Sequence, residues 1–147
     1  MPDYPGRLSH SIPAWVKDGA IYHIRIGTNS RSPLPLTDPV LGPLLLESAR
    51  IYHEQERWNC SLFLLMPDHL HALIQFPLKQ KMSNVVSAWK RYQTRQHGIC
   101  WQTNFFDHRV RSGSELNEKA AYILRNPIVG KLCGANEAWP FVFYGNP

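Results

Sequence analysis

The stretch Trp58-Asn59-Cys60-Ser61-Leu62-Phe63-Leu64-Leu65-Met66-Pro67-Asp68-His69-Leu70-His71-Ala72-Leu73-Ile74-Gln75-Phe76 decides how this chain folds. Residues 58–66 are a nearly continuous apolar run, the pattern of a central strand covered on at least one face. Pro67-Asp68 interrupts it, and residues 69–76 then alternate between faces. Two such runs joined by a tight turn read as an antiparallel hairpin. Residues two apart on a strand share a face, so His69 and His71 are neighbours, while Leu70, Ala72, Ile74 and Phe76 turn to the opposite layer.

Elements on either side extend the pattern. Residues 20–27 alternate as a strand, with Tyr22, Ile24 and Ile26 on one face and His23 and Arg25 on the other with Ile21. Residues 29–38, rich in Ser and Pro, form a loop. Thr37 or Asp38 caps the helix that follows, and Pro39 or Pro43 takes a first helical position. Leu44, Leu45, Ser48, Ala49 and Tyr52 carry that helix to the region of Glu56. A second helix begins at Ser83 and ends near His97, closed by Gly98. Its inward side is Val85, Trp89, Tyr92 and Gln96, with Lys90, Arg91 and Arg95 elsewhere on the cylinder. Residues 101–111 are aromatic, then basic, and match neither period. Ser112 and Glu115 form a capping box for a third helix, whose inward residues are Leu116, Ala120, Ile123 and Leu124. That helix is expected to stop at Asn126-Pro127, because a residue before proline avoids the α region. The apolar tail, 139–144, packs on the body, and residues 1–18 read as an arm. Strands and helices interleave around one hairpin, which predicts an α/β (α+β) sandwich of ferredoxin-like type: a mostly antiparallel sheet with helices packed on it.

Composition bounds the function. The chain has 147 residues, enough for one domain with a core. Its net charge of +5 and its 12% aromatic content suit a polyanionic partner whose bases can be stacked upon. No apolar run approaches the ~20 residues of a membrane span, and Met1 to Trp15 lacks the pattern of a secretion signal. Cys60, Cys100 and Cys133 make neither a disulfide framework nor a metal pair, and are expected to be reduced, buried thiols of a cytoplasmic protein.

Three constellations carry chemistry. His69 and His71 set two imidazoles side by side, able to bind one divalent metal and leave positions open for substrate; Asp68 adjoins them as a supporting group or a turn residue. Tyr122 and Asn126, four apart, share a helix face with Glu118. A tyrosine hydroxyl becomes a nucleophile where a metal polarises the electrophile or a base takes its proton. Lys90, Arg91, Arg95, His108, Arg109 and Arg111 are interleaved with aromatic residues, a combination suited to single-stranded nucleic acid. Each also has a plain alternative: a solvent-facing histidine pair, a tyrosine at the rim of the core and a solvated basic face.

Read together, four blocks resemble one family. Met66-Pro67-Asp68-His69-Leu70-His71-Ala72-Leu73-Ile74 resembles the His-hydrophobic-His (HUH) signature of the small single-strand transposases, in the branch of the REP-associated tyrosine transposases. Gly19 to Ile24 resembles that branch's first strand, and Phe105 to Arg111 the segment before its last helix. Tyr122-Ile123-Leu124-Arg125-Asn126-Pro127, continuing to Leu132, resembles the helix bearing its single tyrosine, and Ala138-Trp139-Pro140 its usual ending. The likeness covers about residues 15–144 and implies a catalytic domain over 19–147. It implies a single-stranded DNA endonuclease and strand transferase that cuts next to a hairpin through a 5′-phosphotyrosine intermediate. Tyr122 would be the nucleophile, and His69 and His71 would bind Mg²⁺ or Mn²⁺. Asn126, one methylene shorter, would replace the Gln that many relatives use as third metal ligand. Two imidazoles alone would point to Zn²⁺ or Mn²⁺, so the metal comes from the resemblance. Lys90, Arg91, Arg95, His108, Arg109, Arg111 and Arg125 would contact DNA. The implied protein is cytoplasmic, nucleoid-associated, free of membrane and either a monomer or a homodimer. Two further readings remain: a catalytically inactive, domesticated DNA-hairpin-binding protein, and an unrelated metal-dependent hydrolase on the same fold.

Overall fold

Backbone pairing in the hairpin organises the sheet. In a computed structural model, which describes residues 19–145, β2 (Asn59–Leu65) and β3 (His69–Gln75) pair antiparallel. The turn between them is closed by Met66 N–H donating to the His69 carbonyl at 2.8 Å. The other free edge of β3 pairs antiparallel with β1 (Ile21–Gly27), and β1 pairs with β4 (Phe106–Val110). The short β5 (Val142–Phe143) adds to β2, so the sheet runs β4-β1-β3-β2-β5, antiparallel throughout. Helix α1 (Leu41–Glu54) connects β1 to β2, and α2 (Met82–His97) connects β3 to β4. Each such connection spans an intervening strand, which gives the expected ferredoxin-like α+β sandwich. Helix α3 (Gly113–Val129) and β5 are added to it. Among the described residues no helix is long and apolar enough to cross a membrane. The arm expected at 1–18 lies outside the described residues.

The sheet separates two apolar layers. Helices α1 and α2 cover one face, where Ile24, Leu45, Trp58, Phe63, Leu70, Ala72 and Trp89 form the larger core. Helix α3 covers the other face, with a smaller core of Leu62, Leu64, Met66, Leu73, Val110 and Ile123. The apolar run of β2 is thus explained: its alternate residues feed both layers, Phe63 and Leu65 the larger core and Leu62 and Leu64 the smaller, while the register shift between Cys60 and Leu62 puts Cys60 in the larger.

Local chemistry fixes the helix ends. The Asp38 carboxylate accepts from Val40 and Leu41 N–H at 3.0 and 2.9 Å, so Asp38 anchors the start of α1, with Pro39 before the helix and Pro43 in its first turn. Gly98 closes α2 at φ +70°, a conformation that favours a residue with no Cβ. The Ser112 hydroxyl accepts from Glu115 N–H at 3.1 Å, as the capping box requires, but the Glu115 carboxylate reaches back one residue further, to Arg111 N–H at 2.7 Å.

Several expectations are corrected. Leu44 is exposed, while Leu45 and Ala49 are buried as expected and Leu41 joins them. Tyr92 and Gln96 are exposed, and the inward row of α2 is Val85, Val86, Trp89 and Gln93. Gln93 is admitted to the core because its amide, like the Trp89 indole, donates to the Ser48 hydroxyl of α1, at 2.7 and 2.8 Å. Leu124 is exposed. Helix α3 runs through Pro127 to Val129 rather than stopping at Asn126. Pro127 is buried, and that packing outweighs the local preference before proline. The last turn is closed by Gly130 N–H to Asn126 O and Leu132 N–H to Pro127 O, both 2.8 Å. The three cysteines are free as expected, but only Cys60 is buried.

Candidate active site

The register of β1 against β3 builds the site. Gly27 lies opposite His69, Arg25 opposite His71 and His23 opposite Leu73, so His23, Arg25, His69 and His71 occupy the sheet face that α3 covers. The His69 and His71 rings lie 4.9 Å apart, edge to face. Each ring is held through Nδ1. His69 donates from Nδ1 to the Asp68 carboxylate at 2.8 Å, and His71 Nδ1 shares a hydrogen bond with His23 Nε2 at 2.9 Å.

Helix α3 brings the tyrosine to this face. The Tyr122 ring stands edge-on to His71, with centroids 5.8 Å apart, and also lies 6.2 Å from His23. Ile123, wholly buried, and Pro127 anchor the helix beneath it, while half of Tyr122 stays exposed. Asn126 donates through Nδ2 to the Tyr122 carbonyl at 3.0 Å, and its side chain is also hydrogen-bonded to His71. His69, His71, Tyr122 and Asn126, distant in sequence, are thus brought to one place.

Electrostatics keep the inner rings neutral. Burial holds His71 down to about 3, helped by the nearby His69, His23 and Arg25. Burial likewise holds His23 down to about 4, helped by Lys119 and His108. Neutral imidazoles offer lone pairs, which a metal requires. The Asp68 carboxylate lies below its ordinary range, chiefly through its bond to His69. Among the described residues no three His, Cys, Asp or Glu side chains are grouped to hold a metal ion; the Asn126 amide stands beside His71 as a further polar group.

The basic residues divide. Lys90, Arg91 and Arg95 stand on α2, across the sheet from the histidines, where they line an open groove of ≈ 560 Å³ with Asn29, Trp101 and Gln102. The groove meets the histidine end of the sheet through Gly27: Gln102 N–H donates to its carbonyl at 2.8 Å, and Gly27 is the register partner of His69. Lys90 is partly committed, donating to the Gln102 carbonyl at 2.9 Å. His108 faces the site opposite His23, but its Nε2 donates to Glu115 at 2.9 Å and ties β4 to the start of α3. Arg109 pairs with Tyr22, on the face away from the histidines. Arg111 and Arg125 are exposed near the two ends of α3.

Sequence reasoning missed His23 and Arg25 as site residues, and placed Phe106 only among the aromatic residues interleaved with the basic ones. Phe106 packs edge-on to His23 at 5.8 Å and is half exposed. The alternation of β1 sets His23 and Arg25 on one face, but only the register of β1 against β3 shows that it is the face of His69 and His71.

Fold and site together define an α+β sandwich with a histidine–tyrosine centre on the sheet face away from its main core. Comparison with known proteins is consistent with this. A family profile described as "Transposase IS200 like" matches residues 17–124, and the chain belongs to that family. A Haemophilus influenzae protein described as a REP-associated tyrosine transposase is 25% identical over 95 residues, 52% of this chain and 53% of that protein, so the match spans about half the relative's length. A REP-associated tyrosine transposase solved bound to a REP hairpin superposes with a TM-score of 0.70 at 21% identity, over 97% of this chain and 82% of the other. A Deinococcus radiodurans protein described as a transposase superposes at 0.54 and 17% identity, over 83% and 95%.

Proposed function

We propose that this chain is a single-stranded DNA endonuclease and strand transferase of the REP-associated branch, cutting next to hairpins through a 5′-phosphotyrosine intermediate on Tyr122. One observation carries the reading: the Tyr122 ring lies 5.8 Å from His71 of its own chain, on a helix whose Asn126 also touches that histidine. Nucleophile and metal-binding rings then belong to one chain, which supports action in cis by a monomer.

The donor set fits a divalent cation, Mg²⁺ or Mn²⁺, held by His69, His71 and Asn126. Nδ1 of each ring is engaged, so Nε2 is the nitrogen a cation would take, the Asn126 contact with His71 giving way to shared ligation of that cation. Bound there, the cation supplies Lewis-acid polarisation of the scissile phosphate. The chain's own residues do the rest. The Tyr122 oxygen bonds to phosphorus and releases its proton to water. The bond from phosphorus to the 3′ oxygen breaks, and that oxygen takes a proton from water to become a hydroxyl. Rejoining is the reverse, so no nucleotide energy source is needed. Arg25, exposed between the register positions of His71 and Phe106, is placed to meet the phosphate. Arg91 and Arg95 in the α2 groove neutralise phosphates of the hairpin as it passes the Gly27 end of the sheet.

The test is covalent capture. Purified protein, Mn²⁺ and a labelled single-stranded hairpin oligonucleotide give a protein–DNA adduct. Tyr122→Phe gives none, with binding unchanged within about twofold, since the ring is half exposed and keeps its packing. A labelled adduct on Tyr122→Phe rejects Tyr122 as nucleophile. Hairpin binding without capture by the unaltered chain favours the inactive hairpin-binding reading.

A further inference from the structure

We propose that His23 is a positioning residue: it accepts the Nδ1 proton of His71 and so presents the Nε2 lone pair of His71 to the cation. The inference rests on the metal-binding reading above and adds to it a residue from a different strand.

The two proposed metal-binding rings are each held at Nδ1. His69 has its Nδ1–H fixed by a carboxylate neighbour, Asp68. His71 lies deeper, 2% exposed, bonded by the Asn126 side chain and meeting, at Nδ1, the imidazole nitrogen of His23 at 2.9 Å. A metal-binding histidine needs its other ring nitrogen protonated and held by an acceptor, since that bond fixes both tautomer and ring direction. A neutral imidazole is such an acceptor, and it adds no charge to a buried place.

The remaining contacts of His23 favour this role over packing alone. Its ring is itself 4% exposed and is wedged among His71, Phe106 and Tyr122 at centroid distances of 5.1, 5.8 and 6.2 Å. Its Nδ1 is buried with no partner among the described residues. A buried nitrogen without a partner calls for a reason. A phenylalanine would fill the same space without it, so the reason lies in the other nitrogen, Nε2, and its bond to His71. Because β1 holds His23 rigidly beside β3, the bond also fixes the plane of the His71 ring against which Tyr122 rests.

Two measurements test this. In ¹⁵N-histidine-labelled wild-type protein loaded with Mg²⁺, long-range ¹H–¹⁵N spectra are expected to show His71 protonated at Nδ1 and bare at Nε2. Mn²⁺ affinity, read by electron paramagnetic resonance of the free ion without DNA, is expected to fall about 10–100-fold in His23→Phe. His23→Gln, which offers a side-chain oxygen as acceptor, recovers part of that loss. The inference is overturned if His71 carries its proton on Nε2 in the Mg²⁺-loaded protein. It is also overturned if folded His23→Phe binds Mn²⁺ within twofold of wild type. The spectra need no variant, so they decide even if His23→Phe fails to fold. Wild-type protein that does not bind Mn²⁺ at all removes the metal reading and this inference together; wild-type binding that is insensitive to His23 removes only this one.

Discussion

Ile123 and Leu45 are both wholly buried, one in each core, and truncating them separates stability from positioning. Ile123→Ala removes three carbons; at about 0.8 kcal/mol for each buried methylene the transfer loss is about 2.4 kcal/mol, with a cavity penalty added. The neighbours Leu116 and Ala120 are only partly buried and can settle into the gap, which keeps the total near 3 kcal/mol. Leu45 is wholly buried in the larger core, whose members include Leu41, Ala49, Trp58 and Phe63, so Leu45→Ala loses more, about 3–5 kcal/mol. Urea unfolding measures both, with midpoints expected to shift by about 1.5 M for Ile123→Ala and about 1.5–2.5 M for Leu45→Ala at a slope near 2 kcal/mol per M. The functional consequences are reversed in order. Ile123 holds the helix that carries Tyr122, and a misplacement of about 1 Å of a reacting group lowers rate by about 100-fold. Adduct formation at low temperature, per folded molecule, is expected to slow at least about tenfold in Ile123→Ala and less than about twofold in Leu45→Ala. Equal slowing in both, or a loss below about 1 kcal/mol for Ile123→Ala, would refute the assignment of α3 as the positioning element.

Three smaller predictions follow from other parts of the fold. Ser112→Ala removes the acceptor for Glu115 N–H and is expected to lower stability by about 1 kcal/mol, read by calorimetry as a fall in Tm of about 2–4 °C. His23 and His71 are held near 4 and 3 when folded, below the histidine value of 6.5. The unfolded chain therefore binds more protons below pH 6.5, so the metal-free protein loses stability as pH falls from about 6.5 towards 4; a Tm that stays flat over that window contradicts neutral buried rings. Replacing Arg91 and Arg95 together with Gln is expected to weaken hairpin binding and reduce its logarithmic salt slope by about 2, and an unchanged slope would take the α2 groove out of the DNA path.

What was legible in the sequence depended on whether a local pattern decided it. The hairpin could be read because Pro67-Asp68 breaks two strands that each keep their own period, and the sheet formed as expected. Strand β4 escaped because it is an edge strand whose Phe106, Asp107 and Arg109 are exposed, so neither face shows an apolar row. Gln93 escaped because a polar residue entered the core on the strength of one distant hydroxyl, Ser48. The end of α3 was misplaced because burial of Pro127, a tertiary effect, overrode a local one. Residue parity put His23 and Arg25 on one face, but only the register of β1 against β3 shows that this is the face of His69 and His71.

That division bears on mechanism. The histidines sit on β3, the middle strand of five, flanked by β1 and β2 and covered on both faces. Tyr122 sits on the outermost helix, whose buried residues are Ile123 and Pro127. Local stability follows the number of buried apolar contacts, so β3 is the fixed member of the site and α3 the one more readily displaced. For the proposed reaction the asymmetry is useful. A cation-binding pair must hold its geometry through cutting and rejoining, whereas the tyrosine must approach phosphorus, carry one DNA end and later leave it. The Asn126 side chain, bonded both to the Tyr122 carbonyl and to His71, is the contact through which the movable half registers on the fixed half.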